Sequence, residues 1–139
     1  MNDNLERFIE AQRMDYQQAL SEIKNGRKQS HWMWYIFPQI AGLGFSETSH
    51  FYAIRDLDEA TAYFRHKILG TRLVEISEAL LQLPTNNAHQ IFGSPDDMKL
   101  QSSMTLFSLV ESTNPVFQAV LDKFFNGKPD QKTIQLLNL

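Results

Sequence analysis

Apolar residues recur near every third, fourth and seventh position at Leu5, Phe8, Ile9, Tyr16, Leu20 and Ile23, with charged residues between them. That stripe predicts an amphipathic helix over about residues 4–25, and Asn25-Gly26 is a stop signal for it. From Arg27 the pattern changes. The apolar run from His31 to Phe37 is short enough for a strand or a buried helical turn, and the proline after it favours a helical turn that ends before Pro38. Ser46 reads as the N-cap of a short helix through Ile54, and Asp56 or Asp58 as the N-cap of another through about His66. Leu69, Leu73, Ile76, Leu80 and Leu83 continue at helical spacing until Pro84. Asn87 with Gln90 resembles a capping arrangement before a short turn ending at Gly93. Ser94-Pro95-Asp96-Asp97 supplies an N-cap, a first-turn proline and an early acid for a helix over about residues 95–111. Asn114-Pro115 opens a helix with Val116, Val120, Leu121 and Phe124 inward, Gly127 closes it, and Asp130 caps a last short one.

No segment alternates apolar and polar residues over a strand length, and no Asn-Gly or Asp-Gly pair is flanked by such segments. The expected fold class is therefore mainly α: one multi-helical domain over residues 1–139 with short connections, and no sheet beyond a short two-stranded pairing. Phe8, Leu20, Trp34, Leu73, Leu80, Leu106, Leu109, Val120 and Phe124 lie on the apolar stripes and are expected to be buried.

Composition narrows the function classes more than the fold. The 139 residues include 13 Lys and Arg against 16 Asp and Glu, a formal charge of −3, which argues against a general nucleic-acid binder. Cysteine is absent, so disulfides, zinc ribbons, iron–sulfur clusters and thiol nucleophiles are excluded. There is neither a signal-peptide start nor an apolar run long enough to span a membrane. A cytoplasmic protein without membrane attachment is the expectation.

The familiar motifs fail on inspection. Gly42-Leu43-Gly44 lacks the third glycine of a dinucleotide fingerprint, because Glu47 stands there. Gly127-Lys128 is followed by Pro129 where a phosphate loop needs Ser or Thr. Gly44-Phe45-Ser46-Glu47-Thr48 lacks the second glycine of a nucleophile elbow. The four histidines stand 19, 16 and 23 residues apart, with no pairing at metal-ligand spacing. No metal or cofactor is indicated.

Two concentrations of polar groups remain. Both tryptophans, Trp32 and Trp34, lie with His31 and Gln39 in one short segment, just after Arg27 and Lys28. Large aromatics mostly make core, but a histidine and a glutamine drawn in beside them need polar partners. On the 95–111 helix, Asp96, Lys99 and Ser103 share a stripe about 60° wide at the start of an otherwise apolar face. Ser102, Ser103 and Thr105 on this buried helix also need partners, and a polar pocket would supply them. His31 with Asp96 or Lys99 could then serve as an acid–base set. Trp32, Trp34, Gln39 and Ser103 would line the ligand, and any phosphate would fall to Arg27, Lys28 or Arg72, since the two acids at the helix start repel an anion.

The strings His31-Trp32-Met33-Trp34, Pro38-Gln39, Gly42-Leu43-Gly44, Ile91-Phe92-Gly93-Ser94-Pro95-Asp96-Asp97-Met98-Lys99-Leu100 and Ser102-Ser103-Met104-Thr105-Leu106-Phe107 resemble the bacterial family designated domain of unknown function 1810. The resemblance runs from about Leu5 to Leu137, with Thr71 where the family more often has proline. It implies a helical single-domain fold and brings no activity, substrate or catalytic residue. Some members carry the label calpastatin, which would imply a disordered inhibitor, and this aromatic-rich composition contradicts that. The functional expectation is a pocket for a polar, nucleotide-like or other small molecule, in a binding protein or an acid–base enzyme. The alternative is a non-enzymatic module that meets a protein or nucleic acid through Arg27, Lys28 and Arg72. The expected separator is whether the His31 segment and the 95–111 helix converge on one concave site.

Overall fold

A computed structural model of the chain describes residues 4–139. Among them nine helices follow one another: α1 (Glu6–Lys24), α2 (Met33–Ile36), α3 (Glu47–Tyr52), α4 (Leu57–Arg65), α5 (Leu69–Leu81), α6 (Ala88–Phe92), α7 (Asp96–Ser108), α8 (Val116–Phe125) and α9 (Gln131–Leu136). The only strand-like pairing among the described residues is an isolated parallel bridge between Ile40 and Ile54. Side-chain caps set four of the helix starts. Ser46, Asp56, Asn87 and Asp130 each accept from the backbone N–H three residues on, satisfying donors that the first turn leaves open.

The fifth expected cap does not form. The Ser94-Pro95 peptide bond is cis, Pro95 occupies the N-cap position of α7, and no side chain caps that helix. The Ser94 hydroxyl is engaged instead with His89 Nδ1 at 3.2 Å and Asp97 Oδ1 at 3.4 Å. One end of α5 is closed from a distance: Lys123 of α8 donates to the carbonyls of Leu80, Leu81 and Leu83 at 3.3, 2.9 and 2.5 Å. A cation there also meets the negative end of the helix dipole.

α7 is the central element, packed against α4, α6, α8 and α9, while α5 joins α1, α4 and α8. Phe8, Leu20, Leu73, Leu80, Leu106 and Val120 are buried as expected. Trp34, Leu109 and Phe124 are only half-buried. The single turn of α2 sends Met33 and Ile36 inward with Trp32 just ahead of them, so Trp34 faces outward, whereas Leu109 and Phe124 lie at the C-terminal ends of α7 and α8. Leu106 makes no contact with solvent. Leu106→Ala is expected to cost about 2–5 kcal/mol in denaturant unfolding, and a loss under about 0.5 kcal/mol would show that α7 is not the centre of the core.

The hydroxyls of α7 are satisfied largely without a pocket. Ser102 donates to Met98 O at 3.2 Å and to Asp130 Oδ2 at 3.1 Å, and Thr105 donates to Gln101 O at 2.8 Å while accepting from Asp130 N at 2.8 Å. Helical back-bonds and the cap of α9 thus do what a polar pocket was expected to do. Ser103, fully buried, is the one residue whose buried hydroxyl has no partner among the described residues.

Candidate functional site

The segment after α1 is wound around Glu22. Its buried carboxylate accepts from Gln29 N at 2.8 Å, Ser30 N at 3.0 Å, Ser30 Oγ at 2.6 Å, Trp32 Nε1 at 2.9 Å and Gln18 Nε2 at 3.1 Å. Burial works to raise the pKa of this group, but the donors of Ser30, Gln29, Trp32 and Gln18 outweigh it and hold the carboxyl down at about 2. Trp32 is therefore a core residue with its indole N–H satisfied. Nothing in the apolar stripe of α1 marks Glu22, because all its partners but Gln18 lie beyond the helix and its position looks solvent-facing.

Once turned back, the segment docks on α6 and α7. Lys28 N donates to Ile91 O at 2.8 Å, and Lys28 Nζ reaches Ser30 O at 2.6 Å and Asp96 Oδ2 at 2.9 Å. The other oxygen of Asp96 lies 3.2 Å from Lys99 Nζ, which itself sits 3.8 Å from the centroid of the Trp34 ring. The Lys28 ammonium is 5.1 Å from the Trp32 ring centroid. Lys28, Trp32, Trp34, Asp96 and Lys99 thus come together across the long stretch of chain between them. One carboxylate is shared by two cations, each against an indole, which neutralises the early negative charge of α7 in a partly buried setting.

The remaining expected residues lie elsewhere. His31 is exposed, its ring makes no hydrogen bond or ion pair among the described residues, and its carbonyl accepts from Tyr35 Oη at 3.4 Å. Gln39 and Trp34 line a small, partly open cavity of about 10 Å³ with Gly44, Ser49, His50 and Tyr52, room for about one water molecule. Arg72 belongs to the seam between α1 and α5. It donates to Gln12 Oε1 at 3.3 Å and stacks 5.0 Å from the Tyr16 ring, whose hydroxyl contacts Glu75. Burial, followed by the Glu75 contact, pushes the Tyr16 phenol far above its ordinary pKa, and burial with Asp15 does the same to Tyr35. These are structural hydroxyls.

Open space occurs instead beside Arg27 and Lys28. A groove of about 460 Å³ runs between residues 26–28 and residues 89–93. Arg27 is exposed on it and its guanidinium has no protein partner among the described residues. His89 also lines the groove, with Nδ1 3.5 Å from Asp97 Oδ2 and 3.2 Å from Ser94 Oγ. Serine and aspartate meet the same ring nitrogen, so this trio is not a nucleophile relay, in which they would take opposite nitrogens. Sequence patterning missed His89 because an exposed histidine on a five-residue helix carries no periodic signal. Among the described residues no three His, Asp or Glu side chains gather as metal ligands, and no helix is long and apolar enough to cross a membrane.

Comparison with known proteins gives two matches. The family model described as Protein of unknown function (DUF1810) covers residues 2–137. The crystal structure of the conserved hypothetical protein Rv1873 from Mycobacterium tuberculosis is similar at 43% identity, with a TM-score of 0.96 over 99% of this chain and 98% of that one. No curated protein matches the chain.

Proposed function

We propose, since this chain belongs to the DUF1810 family of proteins of unknown function and takes no chemistry from that membership, that it binds a polar, anionic small molecule in the groove beside Arg27. The observation that carries the reading is the free guanidinium of Arg27 at the edge of an open groove of about 460 Å³. A planar guanidinium is the side chain best shaped to grip a phosphate or carboxylate with two parallel hydrogen bonds. Lys28 adds positive charge on the same wall although its ammonium is tied to Asp96, and Gln90 offers an amide N–H₂ beside it. The groove volume falls within the range of about 300–1,000 Å³ usual for small-molecule sites.

This places the ligand next to the segment singled out in the sequence rather than among its aromatics. Trp32 and Ser103 are walled into the core, and both oxygens of Asp96 are held by lysines. Proton transfer by His31 with Asp96 or Lys99 therefore has no contact to support it, and binding is the better-supported activity.

Calorimetric titration of the protein with inorganic phosphate, pyrophosphate and citrate at low ionic strength tests the reading. At least one of these anions is expected to bind saturably, and Arg27→Ala to weaken it at least about tenfold, or about 1.4 kcal/mol. The unfolding free energy of that variant should stay within about 0.5 kcal/mol of the parent, because Arg27 is exposed and unpaired. Absence of anion binding, or binding indifferent to Arg27, would overturn the proposal and leave the macromolecular interaction module as the reading to pursue.

A further inference from the structure

The geometry points to a nucleoside phosphate as the occupant, its phosphate on Arg27 and its heterocycle in a second groove that His89 also lines. This rests on the anion reading above and adds the chemical class of the ligand. The second groove, about 440 Å³, lies between residues 86–89 and residues 123–126, with Asp97 on its wall. His89 lines both grooves, so a ligand that occupies the two would pass along it.

The two sides differ in chemistry. The first carries Arg27 and Lys28. The second has no free cation, because Lys123 is spent on the carbonyls that end α5, and Asp97 brings a negative charge. An anion belongs on the first side and is disfavoured on the second. The second instead presents amides. Asn86 and Asn126 are exposed and make no side-chain hydrogen bond among the described residues, while Asn87 uses its carbonyl oxygen on Gln90 N and keeps its N–H₂ free. An asparagine amide offers a donor and an acceptor side by side, the arrangement that reads the paired donor and acceptor on the edge of a nucleobase. Phe124 supplies a half-buried ring beside them, with the Lys123 ammonium 5.3 Å from its centroid, and an aromatic ring of this kind takes any base as a stacking partner.

His89 stands where the sugar would lie. Its Nδ1 is turned to Asp97 and Ser94, which leaves Nε2 without a protein partner. With Nδ1 engaged by the Ser94 hydroxyl, Nε2 faces the ligand, and a ribose hydroxyl, which can both donate and accept, is a matching partner.

Calorimetric titration with the four nucleoside 5′-monophosphates, ribose 5-phosphate and inorganic phosphate, each at one ionic strength, tests the assignment. At least one nucleotide is expected to bind ten times more tightly than ribose 5-phosphate. In the double variant Asn86→Ala, Asn126→Gly that advantage should disappear while the affinity for inorganic phosphate stays unchanged. Glycine is chosen at 126 because the residue has φ of 55°, a left-handed conformation that glycine adopts without strain. The melting temperature of the unliganded variant confirms that it folds. If nucleotides bind no better than ribose 5-phosphate while phosphate binding still depends on Arg27, the nucleotide assignment falls and the anion site stands. If no anion binds at all, both fall together.

Discussion

Glu22→Ala is expected to lower stability by about 3 kcal/mol at neutral pH, enough to take roughly 10 °C off the melting temperature. The carboxylate is 7% exposed and gathers the donors of Gln18, Gln29, Ser30 and Trp32, so its loss strands the Trp32 indole N–H in a site that is 1% exposed. The same interaction has a pH signature. The carboxyl moves from an ordinary value of 4.5 to about 2 on folding. The unfolded chain then binds this proton more readily than the folded one, so stability from the group is fully present above about pH 4.5 and is lost as pH falls toward about 2. About two and a half pKa steps correspond to about 3 kcal/mol. Urea unfolding of the parent between pH 6 and pH 2 should show this loss, whereas Glu22→Gln should be less stable at pH 6 and lack that share of the acid dependence. Equal acid dependence in the two proteins would show that the carboxylate is not the centre of this turn.

Gly70→Ala is expected to be at least as damaging, by a different route. A methyl group at that position would lie 1.8 Å from the carbonyl oxygen of Phe64 and 2.8 Å from its carbonyl carbon. The obstacle is backbone, so no side-chain rotation relieves it, and α4 and α5 must separate at their corner. Overpacking of a well-filled interior costs about 1–3 kcal/mol and sometimes more, and a backbone clash belongs at or beyond the upper end. Denaturant unfolding measures it. A change below about 0.5 kcal/mol would mean that the two helices do not approach this closely at Gly70.

Local chemistry explains which parts of the fold are legible in the sequence. Ser46, Asp56, Asn87 and Asp130 cap helices because cap and partner lie three residues apart, a distance that pattern reading covers. Ser94 looks the same on paper, yet its hydroxyl is drawn to His89 and Asp97 and its peptide bond is cis. The meeting of the aromatic segment with the start of α7 follows from the need of polar groups for partners, and Lys28 with Asp96 and Lys99 with Trp34 make that meeting. Of the residues expected there, His31, Gln39 and Ser103 lie elsewhere; a two-residue shift in one turn decides whether Trp32 or Trp34 faces the core, and His31 follows the outward choice. Glu22 and His89 were invisible, the first because most of its partners lie beyond α1 and the second because exposure leaves no pattern.

Lys123 ties the end of α5 to α8 through three carbonyls. α5 has no glycine or left-handed residue to finish it: its last turn tightens as Gln82 N and Leu83 N donate to the carbonyls of Ala79 and Leu80, and the ammonium from α8 meets the carbonyls of Leu80, Leu81 and Leu83 beyond that. Loosening α8 withdraws the ammonium, and the carbonyls of Leu81 and Leu83 lose that partner in the same event, while Leu80 O keeps the N–H of Leu83. The tie is expected to show as correlated amide hydrogen exchange at the ends of α5 and α8, two stretches of chain that sequence order keeps far apart.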